Sequence, residues 1–376
     1  MKTLSQIEIK KSINTPPEIE LILNCVSPFI DTRITENIKE LVKEQLDWEY
    51  FYQTVRIHGV TSLVYIRLND TCPGKVPDSI MSQLRGFFYT NTQRSLFMTG
   101  ELVRLLKLFQ EAEIIAVPYK GPVLGSLIYN NIAIRYSCDL DIIVEEKNIF
   151  AVKDILIAQG YRPKREMNNK ELIAYLGSKA EHTYDFIHDE KNFFLEIHWR
   201  LAPKVYTNIN PKDFWQELEP FPLADIHVNN IPLEYYLSIL SMHGSRHIWT
   251  RLAWLCDFAT LIHKYPDLDW KKAINQAEMW NCKRILCLGL SLAKSFFNIT
   301  LPQEVLEEIE KDNMINSLAI QVYNQLFAEI KTSERKLGRT LYHLRSKERV
   351  QDKLLYFQSF LLWITKLSWL REEKSI

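Results

Sequence analysis

The chain has 376 residues, with 46 Lys+Arg against 46 Asp+Glu and a pI near 7.1. A balanced charge gives no electrostatic case for non-specific nucleic-acid binding, so no DNA partner is expected. Hydrophobic residues make up 47% and charged residues 24%, the composition of an ordinary globular protein with a sizeable core. Only 11 residues are Gly, and neither G-x-G-x-x-G nor G-x-x-x-x-G-K-[ST] occurs, which excludes the common Gly-rich nucleotide loops.

Residues 1–17 are polar, end in Pro16-Pro17, and read as a loose arm without the apolar stretch of a signal peptide. Residues 18–110 read as a helical segment. Apolar residues recur at helical spacing over Ile34–Ile57 and Gln83–Gln110, with a turn at Asn69–Pro77. Residues 111–203 change texture. Ile114–Tyr119 and Leu140–Val144 read as strands, and Asn148–Gln159 as a helix ended by Gly160. Thr183–Ile187 and Phe193–Trp199 read as a hairpin around His188–Asn192. Residues 204–376 read as a C-terminal helical domain with helices over Leu233–Trp249, Leu252–His263, Trp270–Phe297, Val305–Phe327 and Val350–Leu370. The fold class is α+β, a small mixed sheet flanked by helical segments. The longest uncharged runs, Gly121–Ile134 and Leu354–Thr365, are shorter than the roughly 20 residues that span a bilayer, so no transmembrane segment is expected. Six scattered cysteines without a C-x-x-C pair point to reduced thiols in a cytoplasm.

The chemistry concentrates in Arg135-Tyr-Ser137-Cys-Asp139-Leu-Asp141-Ile-Ile-Val144. On a strand, residues two apart share a face, so Asp139 and Asp141 converge while Leu140, Ile142 and Val144 point into a core. Two converging carboxylates call for a hard divalent ion, Mg²⁺ or Mn²⁺. Glu196, set between Leu195 and Ile197 in a strand, offers a third carboxylate, and His198 shares its face. Upstream, Lys120-Gly121-Pro122 stands where a strand gives way to a helix. The Gly lets backbone approach a ligand, the helix N-terminus favours an anion, and Lys120 supplies a positive charge. Gly125-Ser126 stands closer to the first acid but falls inside the predicted helix, which leaves Lys120-Gly121 as the corner.

These residues resemble the DNA polymerase β-type nucleotidyltransferase superfamily. More specifically, Lys120-Gly121, Tyr129, Arg135, Asp139-Leu-Asp141-Ile-Ile-Val144 and Glu196-Ile-His198-Trp199 resemble the bacterial group of uncharacterised nucleotidyltransferases. The likeness extends more loosely over residues 40–300, through Asp47-Trp48-Glu49, His58-Gly59-Val60, His243-Gly244, Trp254-Leu255 and Asp257. It implies a polymerase β-type core and metal-dependent transfer of a nucleoside monophosphate from an NTP, ATP favoured. The acceptor would be a small molecule, peptide or protein. Asp139, Asp141 and Glu196 would hold the metals, with Glu196 also a base. Lys120, Gly121, Arg135 and Ser137 would hold the nucleotide phosphates. His182, His198, His243, Arg251 and Asp257 would serve the acceptor or support the site. The other function classes open to the sequence are a nucleotide-binding regulator without turnover and a helical interaction protein with structural acids. The oligomeric state is not legible.

Weaker signals point to packing. His243 and His247 are four apart, but Gly-Ser-Arg between them is no zinc-protease signature. Trp254, Trp270 and Trp280 sit at core positions of helices, and the basic run Lys331–Arg349 reads as a solvated face.

Overall fold

A computed structural model describes residues 15–204, 207, 209, 212–327 and 332–358. Helices α1 (Pro17–Cys25), α2 (Thr32–Leu41), α3 (Trp48–Ile57) and α4 (Thr61–Thr71) lead into the 34-residue α5 (Asp78–Glu111). Asp31 and Asp47 cap α2 and α3, each accepting a bond from the backbone N–H three residues on. The Asp47 cap divides the predicted Ile34–Ile57 helix, because a short side chain that satisfies a free N–H starts a new helix inside a periodic apolar pattern. The predicted arm lies mostly outside the described residues, and its Pro17 opens α1.

The sheet follows. Strands β1 (Ala116–Pro118), β2 (Asp139–Val144), β3 (Arg162–Pro163), β4 (Thr183–His188) and β5 (Phe193–His198) form one mixed sheet in the order β1-β2-β5-β4-β3. Only β2 and β5 run parallel; the other pairs are antiparallel. Helix α6 (Gly121–Tyr129) joins β1 to β2. The crossover from β2 to β5 contains α7 (Ile149–Ala158) and α8 (Asn169–Gly177), the latter opened by a reciprocal Asn168–Glu171 capping box.

Two cores meet at the sheet. Leu140, Ile142 and Val144 of β2 pack with Leu195, Ile197, α7, α8 and the C-terminal half of α5. Ile143 and Val117 on the opposite face join a second core, which unites α1–α4 with the C-terminal helices. The N- and C-terminal helical segments therefore share one apolar interior, far apart in sequence and continuous in space.

After β5 come α9 (Lys212–Trp215) and a hairpin of β6 (Glu219–Leu223) and β7 (Ile226–Asn230), which the sequence reading missed. Pro220 and Pro222 obscure it, since proline cannot donate to a ladder and is confined to edges. The C-terminal helices are α10 (Leu233–Arg246), α11 (Leu252–Lys264), α12 (Trp270–Met279), α13 (Lys283–Phe297), α14 (Gln303–Glu310), α15 (Asn313–Leu326) and α16 (Thr332–Ser346). Two predicted helices are each divided. Asn281, at φ +57°, breaks Trp270–Phe297, and the Asp312 cap breaks Val305–Phe327. Of the predicted Val350–Leu370 helix, residues 350–358 are helical and the rest lies outside the described residues. Lys331 of the basic run also lies outside them. No described helix is long and apolar enough to cross a membrane.

Candidate functional site

The parallel pairing of β2 with β5 builds the site. Its register sets Asp141 directly beside Glu196, and neighbours across a pleat share a face. Asp139 and His198 lie on the same face by the period of two. That face meets the core with the C-terminal helices.

Asp141 is buried and takes two positive partners. Lys120 Nζ donates to Oδ1 at 2.6 Å, and His198 Nε2 lies 3.0 Å from the same oxygen. His198 Nε2 is also 3.3 Å from Glu196 Oε2, and the Tyr119 hydroxyl lies 3.0 Å from His198 Nδ1. Asp141, Glu196 and His198 each offer a ligand atom, all within 4.8 Å of one another. Asp139 stands outside that tight group.

The charges are uneven. Burial raises the Asp141 carboxyl, but the Lys120 ammonium and the His198 bond outweigh it and hold the group well below the carboxylate range. Glu196 is also lowered, burial being overcome by its bond from His198. His198 is raised: burial opposes its charge, but Asp141 and Glu196 prevail. Asp139 is left over. Burial and then the Asp141 charge push it up to about 6. Three carboxylates crowd one face, and Asp139 carries the repulsion that Lys120 and Arg135 only partly offset.

The corner carrying Lys120 is tightly set. Gly121 has φ +58°, and a Cβ there would lie 3.5 Å from the Asp139 carbonyl oxygen. A side chain rarely adopts that backbone, so the helix starts hard against β2 because residue 121 is Gly. Gly125 lies inside α6, where its bare Cα faces Arg135 Cβ.

His182 and Arg246 close the cluster from the C-terminal side. Arg246 Nη1 donates to His182 Nε2 at 2.6 Å. Burial, then the positive charges of His198 and Arg246, push His182 down to about 2, so its ring is neutral and accepts. A small cavity of about 20 Å³, room for roughly one water, touches Tyr119, Lys120, His182, His198, His243 and Arg246. His243 is held neutral by burial and by Lys120, with its ring against His247 and Trp254.

The remaining predicted residues gather in a second cluster. Arg135 Nε donates to Asp257 Oδ2 at 2.8 Å and Arg135 Nη1 to Ser137 Oγ at 2.6 Å, while Tyr129 bonds Asp257 Oδ1 at 3.0 Å. Burial raises Asp257 despite its Arg135 partner. Arg94 of α5 holds the Ser137 and Cys138 carbonyls at 3.2 and 2.9 Å, fixing the approach to β2. Arg251 lies apart from both clusters in its bonding, its guanidinium over the Trp254 ring.

Two residues escaped the sequence reading. Tyr119 orients His198. Asp185 faces Glu196 across β4, with Lys164 Nζ 3.7 Å from Oδ2 and Oδ1 buried without a hydrogen-bond partner. The predicted hairpin closed at Ile187; the observed ladder closes at His188–Phe193. The sequence reading set no register for this pair, so the partner of Glu196 was not legible.

The donor set suits a divalent ion. Two carboxylate oxygens and an imidazole nitrogen, with no sulfur among them, are donors for a hard or borderline divalent metal. The family model described as uncharacterised nucleotidyltransferase matches residues 44–298, more than half of the chain and all of the sheet and site. No curated protein matches the chain.

Proposed function

We propose that this chain, which belongs to the uncharacterised nucleotidyltransferase family, transfers a nucleoside monophosphate from an NTP to an acceptor hydroxyl with a divalent ion at Asp141, Glu196 and His198. Residues 111–203 are the transfer core in this reading, and the flanking helices of 18–110 and 204–376 are its walls. The observation that carries it is the register placing Asp141 beside Glu196, with His198 within ligand distance of both and Asp139 on the same face.

Asp141, Glu196 and a His198 that has given up its proton would hold a divalent ion, Mg²⁺ or Mn²⁺, which would lower the pKa of an acceptor hydroxyl. Asp139 completes the acidic rim. Lys120 trades its Asp141 bond for triphosphate oxygens at the N-terminus of α6, where free N–H groups favour an anion. Arg246 is aimed beside Lys120 by the neutral His182 and takes the same charge from the other side. Tyr119 holds the His198 ring edge-on to the acids. The acceptor oxygen bonds to the α-phosphorus, the bond from that phosphorus to the bridging oxygen breaks, and pyrophosphate leaves with the electron pair. The hydroxyl proton passes to Glu196, the most exposed carboxylate of the tight cluster, its side chain 32% accessible. Arg135, Ser137, Tyr129 and Asp257 brace the segment that enters β2.

The test is calorimetric binding of each of the four NTPs with Mg²⁺ and with EDTA, on wild type and Asp139→Asn/Asp141→Asn. Metal-dependent binding lost in the double variant supports the reading and names the nucleotide. Equal affinity in EDTA contradicts it.

A further inference from the structure

A second cavity borders the α10–α11 turn. A cleft of about 750 Å³ opens between the end of α3, this turn, and helices α15 and α16. That volume is the size of a small-molecule site. Three arginines reach it from three separate elements: Arg56 from α3, Arg251 from the turn and Arg339 from α16. Among the described residues no Asp or Glu lines the cleft, and none of the three arginines is in an ion pair. Arg56 and Arg251 lie over the rings of Tyr52 and Trp254 instead, 5.8 and 5.9 Å from their centroids.

Convergent, unneutralised guanidinium groups make a strongly positive cavity. The neighbouring histidines register it. His58 is pushed down to about 4 by burial and then Arg251. His247 is pushed down to about 4 by burial, then Arg246 and Arg339, with Lys120 and Arg251 adding to it. The wall between the arginines is apolar, formed by Ile57, Ile248 and Phe327. The turn is built to hold this shape. Ile248 and Trp249 both take left-handed backbone, at φ +55° and +52°. The Trp249 ring lies where a Cβ on Gly244 would stand, 2.5 Å from its Cε3. Strain of this kind persists only where surrounding packing enforces it.

We infer that the cleft binds a small molecule carrying a phosphate or other multiply charged anion beside an apolar or planar body. One carboxylate would leave guanidinium charge unmatched, whereas phosphate oxygens take bidentate bonds from more than one arginine. Arg251 also lines an adjoining cavity with Arg135, Tyr136 and Asp257, the residues that brace the entry to β2. The two cavities share Arg251, and the anion cleft stands apart from the acidic cluster. The anion site stands independently of the nucleotidyl-transfer reading.

Inorganic pyrophosphate in EDTA at low salt is the probe, titrated by calorimetry into the full chain. Wild type is expected to bind it with an affinity that falls as salt rises. Arg251→Gln/Arg339→Gln should weaken that binding by about tenfold or more, the scale of losing two charge-assisted contacts. Arg56→Gln should weaken it by less, and Asp141→Asn should leave it in place. Melting curves check that each variant folds. Binding lost in Lys120→Gln but kept in Arg251→Gln/Arg339→Gln would overturn the inference, as would no binding at low salt. If wild type fails to bind any NTP with Mg²⁺ yet keeps arginine-dependent pyrophosphate binding, the transfer reading fails and the anion site stands.

Discussion

Asp141 and Asp257 are both buried aspartates with a cation within 3 Å, and they differ in company. Asp257 has one guanidinium and one phenol, and no second acid among its bonding partners. Asp141 has an ammonium and an imidazole, but Asp139 and Glu196 draw on the same positive charge. Among the described residues the Asp257 cluster pairs its acid with its own cation, whereas the acids of the Asp141 cluster compete for shared cations. A buried charge set that lacks a counter-charge is costly to keep as pure structure. The comparison separates a brace from a binding site, although both lie beside the same strand.

The comparison predicts different effects on activity for the two clusters. Asp141→Asn is expected to reduce nucleotidyl transfer about 10³-fold or more, since charge stabilisation by a metal contributes several kcal/mol. It should also cost stability, because a depressed carboxylate is stabilising and its loss leaves buried Lys120 and His198 short of a partner. Pyrophosphate release and thermal melting measure the two sides. Arg135→Ala should cost about 3–5 kcal/mol of stability by stranding Asp257, with transfer reduced far less than in Asp141→Asn. Denaturant unfolding reads this, and a loss below about 1 kcal/mol would remove the distinction between brace and site.

Gly121→Ala sharpens the account at the corner. Its φ of +58° predicts a cost of about 1–2 kcal/mol and a displaced Lys120. NTP affinity should fall more than stability does. The smallest effect concerns Glu101, a third buried acid and, like Asp257, one with enough cations. Burial raises it, but hydrogen bonds from Arg104, Lys191 and Tyr161 prevail and bring it to about 2, against an ordinary value of 4.5. A depressed carboxylate contributes stability above its unfolded pKa and loses it on acidification. Unfolding midpoints should therefore fall between pH 4.5 and 2 in wild type, and less steeply in Glu101→Gln.

The pattern of β2 was readable because period two alone decides which side chains converge. Glu196 was readable as an acid amid apolar strand residues. The parallel pairing of β2 with β5 was not, because register between strands more than fifty residues apart is settled by packing. The same holds for Arg135 with Asp257: the sequence marked both, for different tasks, and only the fold brings them together. Helix limits failed at Asp47 and Asp312, where a single capping side chain outweighs an unbroken apolar rhythm. Helix α16 was visible as a basic run, but the cleft that gives Arg339 company required α3 and the α10–α11 turn to meet.

The most direct measurement is Mn²⁺ binding followed by electron paramagnetic resonance on wild type, Asp141→Asn, Glu196→Gln and Glu101→Gln. Tight Mn²⁺ binding is expected in wild type and Glu101→Gln, with a loss of about 10- to 100-fold or more in the other two, the range typical of losing a group that supports a metal. Equal Mn²⁺ affinity in wild type and Asp141→Asn would contradict the claim that the surplus acids of β2 and β5 form a cation site.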